Sequence, residues 1–263
     1  MTAGPEVVVE ATEAALAADV AARVVATLAH AQRERGTASL VVTAGTVLER
    51  VFSMLAAEPA ATAVDWSKVD VFWGDERFVP AGSEDRNDLQ VERLLLDRLP
   101  IEAARVHRMP GSDGPDGDDV DAAARRYAAL LADIADPRHR YDADVPAFDV
   151  VLLGVGQDGH CCSLFPEHPG VYEDGLTVIG VHGSPKPPPT RISLTFRALE
   201  AAEEVWAVVA GEGKAAAVAM ALGGAGRVQI PSAGARGRHR TLWLLDRAAA
   251  RKLPKSIYTA PVA

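Results

Sequence analysis

Two rhythms of hydrophobic and polar positions alternate along the chain. From Thr12 to Arg35 an alanine-rich stretch places Leu16, Val20, Val24 and Leu28 four residues apart, and Gly36 follows it. This spacing puts the large side chains on one face of a helix, and glycine is a common terminator, so a long amphipathic helix is predicted over 12–35. ASLVVTAG (38–45) is then a short β-branched run ending in glycine, and TVLERVFSMLAAE (46–58) turns helical again. The same succession returns with VDVFWG (69–74), DERFVP and a helix expected over about 85–99, and a further helix over 120–135 leads into the strand FDVVLLG (148–154). LTVIGV (176–181), RISLTF (191–196), EVWAVVAG (204–211) and TLWLLD (241–246) read as further strands, with a helix over 212–222.

Strands alternating with helices imply an α/β fold whose mostly parallel sheet is covered by helices on both faces. Ligands of such sheets bind beyond the carboxyl ends of the strands. Three strand ends carry unusual polar residues: TAGT (43–46), GDER (74–77) and GQDGH (156–160).

Composition narrows the class. With 263 residues, 48% of them hydrophobic and 24% charged, the chain can bury one large core without disulfides or metals, so a single domain over 1–263 is expected. The acidic Gly/Asp segment GSDGPDGDD (111–119) reads as a surface loop, not a linker. The net charge of -9 argues against nucleic acid as a partner, so an anionic ligand needs basic residues gathered locally. The two cysteines, Cys161 and Cys162, are adjacent, a spacing that seldom forms a relaxed disulfide and fits a reducing compartment. The first twenty residues have no basic region ahead of an apolar core, and no charge-free stretch reaches membrane-spanning length. A soluble, cytoplasmic protein without a membrane partner is the expectation.

Gly154, Gly156 and Gly159 spell G-x-G-x-x-G behind an apolar strand. A dinucleotide turn needs a real helix after the third glycine, whereas Pro166 and Pro169 allow only a turn or two, and the motif lies mid-chain. The glycines instead permit positive φ and close backbone approach, in a turn that presents Asp158 and His160 to a cleft. His160 could act as a general base oriented by Asp158; it could equally be a hydrogen-bonded structural histidine beside a turn-forming aspartate. Other chemistries fit less well. His160, Cys161, Cys162, His168 and His182 match no zinc spacing, G-x-S-x-G is absent, and a cysteine nucleophile has no recognisable context. GEGK (211–214) is not a phosphate loop, because Ala215 replaces the Ser/Thr and Val208 stands where the first glycine belongs.

Arg77, Lys186 and Arg191 are the candidate anion ligands. Lys186 sits in the polyproline segment SPKPPP, which stiffens it at low entropic cost, and an arginine fork suits phosphate oxygens. Singly, each could be ordinary surface charge, with Arg77 paired to Asp75 or Glu76. TAGT adds backbone donors at a helix N-terminus. Together these features describe a phosphate pocket beside a histidine.

VDVFWGDERFVP, FDVVLLGVGQDGHCCSLFPEHP, SPKPPPTRISLTFRAL and VWAVVAGEGKAAAV resemble, in order and spacing, the 6-phosphogluconolactonase family of the pentose phosphate pathway, over residues from about 7 to 250. The resemblance implies a Rossmann-like three-layer α/β domain, shared with glucosamine-6-phosphate deaminases. It also implies a metal-free, cofactor-free hydrolase of 6-phospho-D-glucono-1,5-lactone, working as a monomer or weak homodimer. It assigns His160 as the base that activates water, with Asp158 beside it in the motif. By the same resemblance, Arg77, Lys186 and the turn containing Gly45 and Thr46 are expected to hold the substrate, joined by Asp75 and, more weakly, Arg191. The first turn departs from the family's S-G-G-S-T-P, since Thr43, Ala44, Gly45, Thr46 and Val47 lack one glycine and the proline. Gln157, Cys161 and Cys162 replace the usual Glu, Thr and Ala. The deaminases resemble G-H-I-A-F-N-E-P here, with a carboxylate where this chain has Phe165 and with Glu167 two residues on, which favours the lactonase over a deaminase or a non-catalytic sugar-phosphate-binding protein.

Overall fold

The computed structural model describes residues 4–57, 60–135, 142–254 and 256–257; Glu58, the expected end of the second helix, lies outside them. Its strands are β1 (Glu6–Glu10), β2 (Ala38–Val42), β3 (Val69–Trp73), β4 (Asp75–Arg77), β5 (Val106–His107), β6 (Val150–Gly154), β7 (Val178–Val181), β8 (Arg191–Leu194), β9 (Glu204–Val209) and β10 (Arg240–Asp246). The helices are α1 (Glu13–Arg35), α2 (Thr46–Leu55), α3 (Ala60–Ala63), α4 (Asn87–Leu94), α5 (Val120–Ile134), α6 (Phe196–Glu200), α7 (Ala215–Leu222) and α8 (Arg247–Ala250). Seven strands form a parallel sheet in the order β1-β10-β9-β6-β2-β3-β5.

The stretches 176–181 and 191–196, expected in that sheet, instead contribute β7 and β8 to a separate antiparallel sheet, in the order β4-β8-β7. Chain length dictates this, because a parallel crossover needs a dozen or more residues and only the segment 182–190 joins β7 to β8. The helix expected over 85–99 is shorter, with α4 ending at Leu94 and a 3-10 turn following over Leu96–Arg98.

Period-two alternation along the strands builds a core on each face of the parallel sheet. On β10, Leu242 and Leu244 join a cluster with Leu16, Val20, Val24 and Leu28 of α1. Their neighbours Trp243 and Leu245 join a second cluster with Val7, Val9, Val218 and Ala249. Helix α1 starts at Thr12, whose side chain accepts from the Ala15 N–H at 3.1 Å, and ends at Gly36 in the left-handed region. By length and composition α1 could cross a membrane. In the fold its Leu16, Val20, Val24 and Leu28 side chains are fully buried, and Asp19 and Arg23 pair at 2.7 Å on its outer side.

From β2 the chain proceeds to β3 on one side, and from β6 to β9 and β10 on the other. The switch point therefore lies between β2 and β6, where the loops beyond both strands diverge and leave a crevice. Gly74 joins the two sheets there: its N–H donates to the Val42 carbonyl at 2.8 Å, and its own carbonyl accepts from Leu194 N–H at 2.9 Å. A Cβ at this position would lie 2.6 Å from Thr43 Cγ2.

Candidate active site

A cleft of about 320 Å³ opens at this switch point, and Gly45, Thr46, Asp75, Arg77, His160, Lys186 and Arg191 all line it. Asp158 stands directly behind His160, its Oδ1 2.5 Å from His160 Nδ1. Burial alone would raise the Asp158 carboxyl, but the hydrogen bond from His160, with the charges of His160 and Lys186, holds it well below the usual carboxylate range. In the neutral imidazole this contact places the ring proton on Nδ1, where it donates to the carboxylate, and the lone pair on Nε2. Lys186 Nζ lies 3.3 Å from Nδ1 and 3.5 Å from Asp158 Oδ1, so its ammonium serves the carboxylate. The Phe165 ring supports the imidazole from one side, with centroids 4.7 Å apart.

The glycine motif gives this pair its room. The His160 carbonyl accepts from Gly156 N–H at 2.9 Å, and a Cβ on Gly156 would come within 1.9 Å of His160 Nδ1 and 2.3 Å of Asp158 Oδ1. Gly159 takes φ +84°, where any side chain is strained.

The opposite wall is basic. Gly45 caps α2 without a side-chain hydrogen bond, so first-turn amides of this ten-residue helix are left without a capping acceptor at the cleft. Arg77 donates from Nη1 to the Asp85 carbonyl at 2.7 Å. Its guanidinium is not paired to Glu76, whose oxygens accept from backbone N–H groups, and among the described residues its buried Nε has no hydrogen-bond partner. Lys214, which the sequence reading set aside with GEGK, also lines the cleft and donates to the Val155 carbonyl. Burial, and then the charge of Lys186, lowers its pKa. Its signal was a lysine just beyond a strand end, the same signal that singled out TAGT and GQDGH.

Two buried carboxylates hold the β4 side. Asp75 accepts from Ser163 Oγ at 2.6 Å. Glu76 accepts from the backbone N–H groups of Arg77, Asn87 and Asp88 at 2.7–2.8 Å, and Arg86 approaches to 3.7 Å. One carboxylate thus fixes both the strand carrying Arg77 and the start of α4. Burial pushes the Glu76 carboxyl from its ordinary value of 4.5 up to about 7, against the opposing pull of Arg86 and the Asn87 amide. Between those two pH values the unfolded chain loses this proton while the folded chain keeps it, so stability falls as pH rises through the window. Urea unfolding from about pH 4 to 8 is expected to give a flatter profile for Glu76→Gln than for the wild type. Identical slopes would remove Glu76 as its source.

Cys161 and Cys162 are free and buried. Burial, with neighbouring negative charge, pushes both thiols far up, so neither is a ready nucleophile. Among the described residues no group of three or more His, Cys, Asp or Glu side chains could hold a metal ion.

The glucosamine-6-phosphate isomerase/6-phosphogluconolactonase family profile matches residues 11–243. A 6-phosphogluconolactonase of Streptomyces coelicolor is 55% identical over 258 residues, covering 98% of each chain. That of Mycobacterium tuberculosis is 48% identical over 239 residues, covering 91% of this chain and 94% of its own. The solved 6-phosphogluconolactonase of Trypanosoma brucei superposes with a TM-score of 0.82 at 26% identity, covering 95% of this chain and 99% of that one. A cleft built from the strand ends that carry the resemblance, in a chain this similar along nearly its whole length, places the protein among the 6-phosphogluconolactonases of the glucosamine-6-phosphate isomerase/6-phosphogluconolactonase family.

Proposed function

We propose that the chain hydrolyses 6-phospho-D-glucono-1,5-lactone to 6-phospho-D-gluconate, the lactone-opening step of the pentose phosphate pathway, with His160 as general base. The observation that carries the mechanism is the 2.5 Å contact between His160 Nδ1 and Asp158, which in the neutral imidazole fixes the tautomer with its lone pair on Nε2, in the wall of a basic cleft. The α2 amides, Arg77 and Lys214 receive the phosphate. Nε2 takes a proton from water as its oxygen adds to C1, and the carbonyl electron pair moves onto oxygen. The Lys186 ammonium, beside the histidine, stabilises that oxyanion. When the carbonyl re-forms, the bond from C1 to the ring oxygen breaks. The imidazolium returns its proton to the departing oxygen, and the new carboxylic acid ionises in water. Phe165 fills the place where the deaminases carry a carboxylate, and its ring is spent on supporting His160.

The test is hydrolysis of freshly prepared lactone, coupled to oxidation of the 6-phosphogluconate formed, with the spontaneous rate subtracted. Acceleration by the wild type is the expected result, and none would remove the reading. In the same assay Arg77→Ala is expected to raise KM by roughly 10- to 100-fold, the worth of a charge-assisted hydrogen bond, with kcat less affected.

A further inference from the structure

We infer that Arg191 is a positioning residue: its guanidinium sets the segment 182–190 so that Lys186 stands over the His160–Asp158 pair. The inference rests on the lactonase reading above, but assigns Arg191 a different task from gripping phosphate.

The segment needs an outside donor. Pro187, Pro188 and Pro189 have no backbone N–H, so this stretch cannot hold itself by a ladder of its own amides. Arg191, 5% exposed at the start of β8, supplies the missing donors. Its Nε donates to the Pro188 carbonyl at 3.1 Å, and its Nη2 donates to the carbonyls of Lys186 and Pro187, both at 3.0 Å. Those contacts use all three hydrogens on Nε and Nη2. Only Nη1 is left, and it faces Asp75 Oδ2 at 4.0 Å, so no edge of the fork remains for bidentate grip on an anion.

Ser184 completes the clamp. Its Oγ donates to the Lys186 carbonyl at 2.9 Å, and its N–H donates to the Pro189 carbonyl at 2.8 Å. The Lys186 carbonyl is therefore held twice, while its ammonium reaches 3.3 Å from His160. The Phe165 ring contacts both the Arg191 guanidinium, at 5.7 Å, and the His160 imidazole, at 4.7 Å, so the arginine that holds the Lys186 carbonyl and the histidine are set against one shared surface. A misplacement of about 1 Å at a reacting centre costs up to roughly 10²-fold in rate, which is the scale on which losing this clamp would act.

The experiment combines lactone hydrolysis with calorimetric binding of 6-phosphogluconate, for wild type, Arg191→Lys, Arg191→Met, Lys186→Met and the Arg191→Met/Lys186→Met double variant. Arg191→Met is expected to lower kcat by roughly 10²-fold, with product affinity within about threefold of wild type. The double variant should be no slower than Lys186→Met alone, because both changes remove one interaction. Arg191→Lys keeps the charge but cannot fork onto three carbonyls, so it should also be slow. Near-normal kcat in Arg191→Lys, losses that multiply in the double variant, or product binding weakened by about tenfold or more would each overturn the inference, the last by making Arg191 a direct phosphate ligand. If Arg191→Met does not fold, Arg191→Lys and Ser184→Ala carry the test, the latter with a smaller fall in kcat and unchanged product binding. Retained kcat in Ser184→Ala as well as Arg191→Lys would overturn it. A wild type that fails to accelerate hydrolysis would instead mark failure of the lactonase reading itself, before any variant is compared.

Discussion

Replacing His160 by alanine is expected to lower kcat for lactone hydrolysis by roughly 10²- to 10⁴-fold, the usual worth of a positioned general base, and to leave product binding nearly unchanged. The split follows from the division of the cleft. His160 contacts Asp158 and Lys186, whereas the proposed phosphate donors are the α2 amides, Arg77 and Lys214. Removing the ring takes nothing from the phosphate end. Steady-state kinetics together with calorimetric binding of 6-phosphogluconate would check both halves. Unchanged kcat would remove His160 from its role, and a loss of binding alone would make it a substrate ligand. The residual rate should still exceed the spontaneous one, because the basic wall and the Lys186 ammonium remain.

Gly156→Ala is expected to be nearly as damaging, although it adds one methyl group and removes no functional atom. The new Cβ would sit 1.9 Å from His160 Nδ1, 2.1 Å from Cε1 and 2.3 Å from Asp158 Oδ1, so ring and carboxylate must both give way. The fold should survive, since the displaced groups border a cleft and can move into it. A fall in kcat of roughly 10²-fold with product binding preserved is the expected pattern. Gly82→Ala is the control, as nothing lies within 4 Å of its added Cβ. Wild-type kcat in Gly156→Ala would mean that the pair tolerates displacement, and that its 2.5 Å contact is not what sets the rate.

Much of this arrangement was legible in the chain because burial and strand-end chemistry leave local marks. The four-residue spacing of Leu16, Val20, Val24 and Leu28 marked α1, and the apolar run at Val150–Gly154 marked a strand buried on both faces. What escaped was set by distant partners. Residues 6–10, EVVVE, alternate only in burial, and five residues at a sheet edge gain their identity from pairing with β10, some 236 positions away at Glu6 and Leu242. β5 is two residues long and exists only beside β3. The second sheet was missed although the short 182–190 connection already ruled out parallel pairing between its flanking strands. At the site, polar residues at strand ends pointed to His160, Asp158 and Arg77, and the polyproline segment to Lys186, all of which meet in one place. Lys214 was lost by testing GEGK only as a phosphate loop, and the carbonyl contacts of Arg191 depend on how the prolines fold back, which spacing does not encode.

Gly74 carries the chain from one hydrogen-bonded layer into the other, and the cleft opens along that joint. Arg77 and Lys186 belong to the small sheet and its connection; α2, His160 and Lys214 extend from the large one. A phosphosugar lying across the joint would therefore act as a further rivet between two layers already tied by Gly74, the Ser163–Asp75 hydrogen bond and the Lys186–Asp158 ion pair. Its binding free energy is then partly mechanical, resisting separation of the layers, and an occupied molecule is harder to pry open at this joint than an empty one.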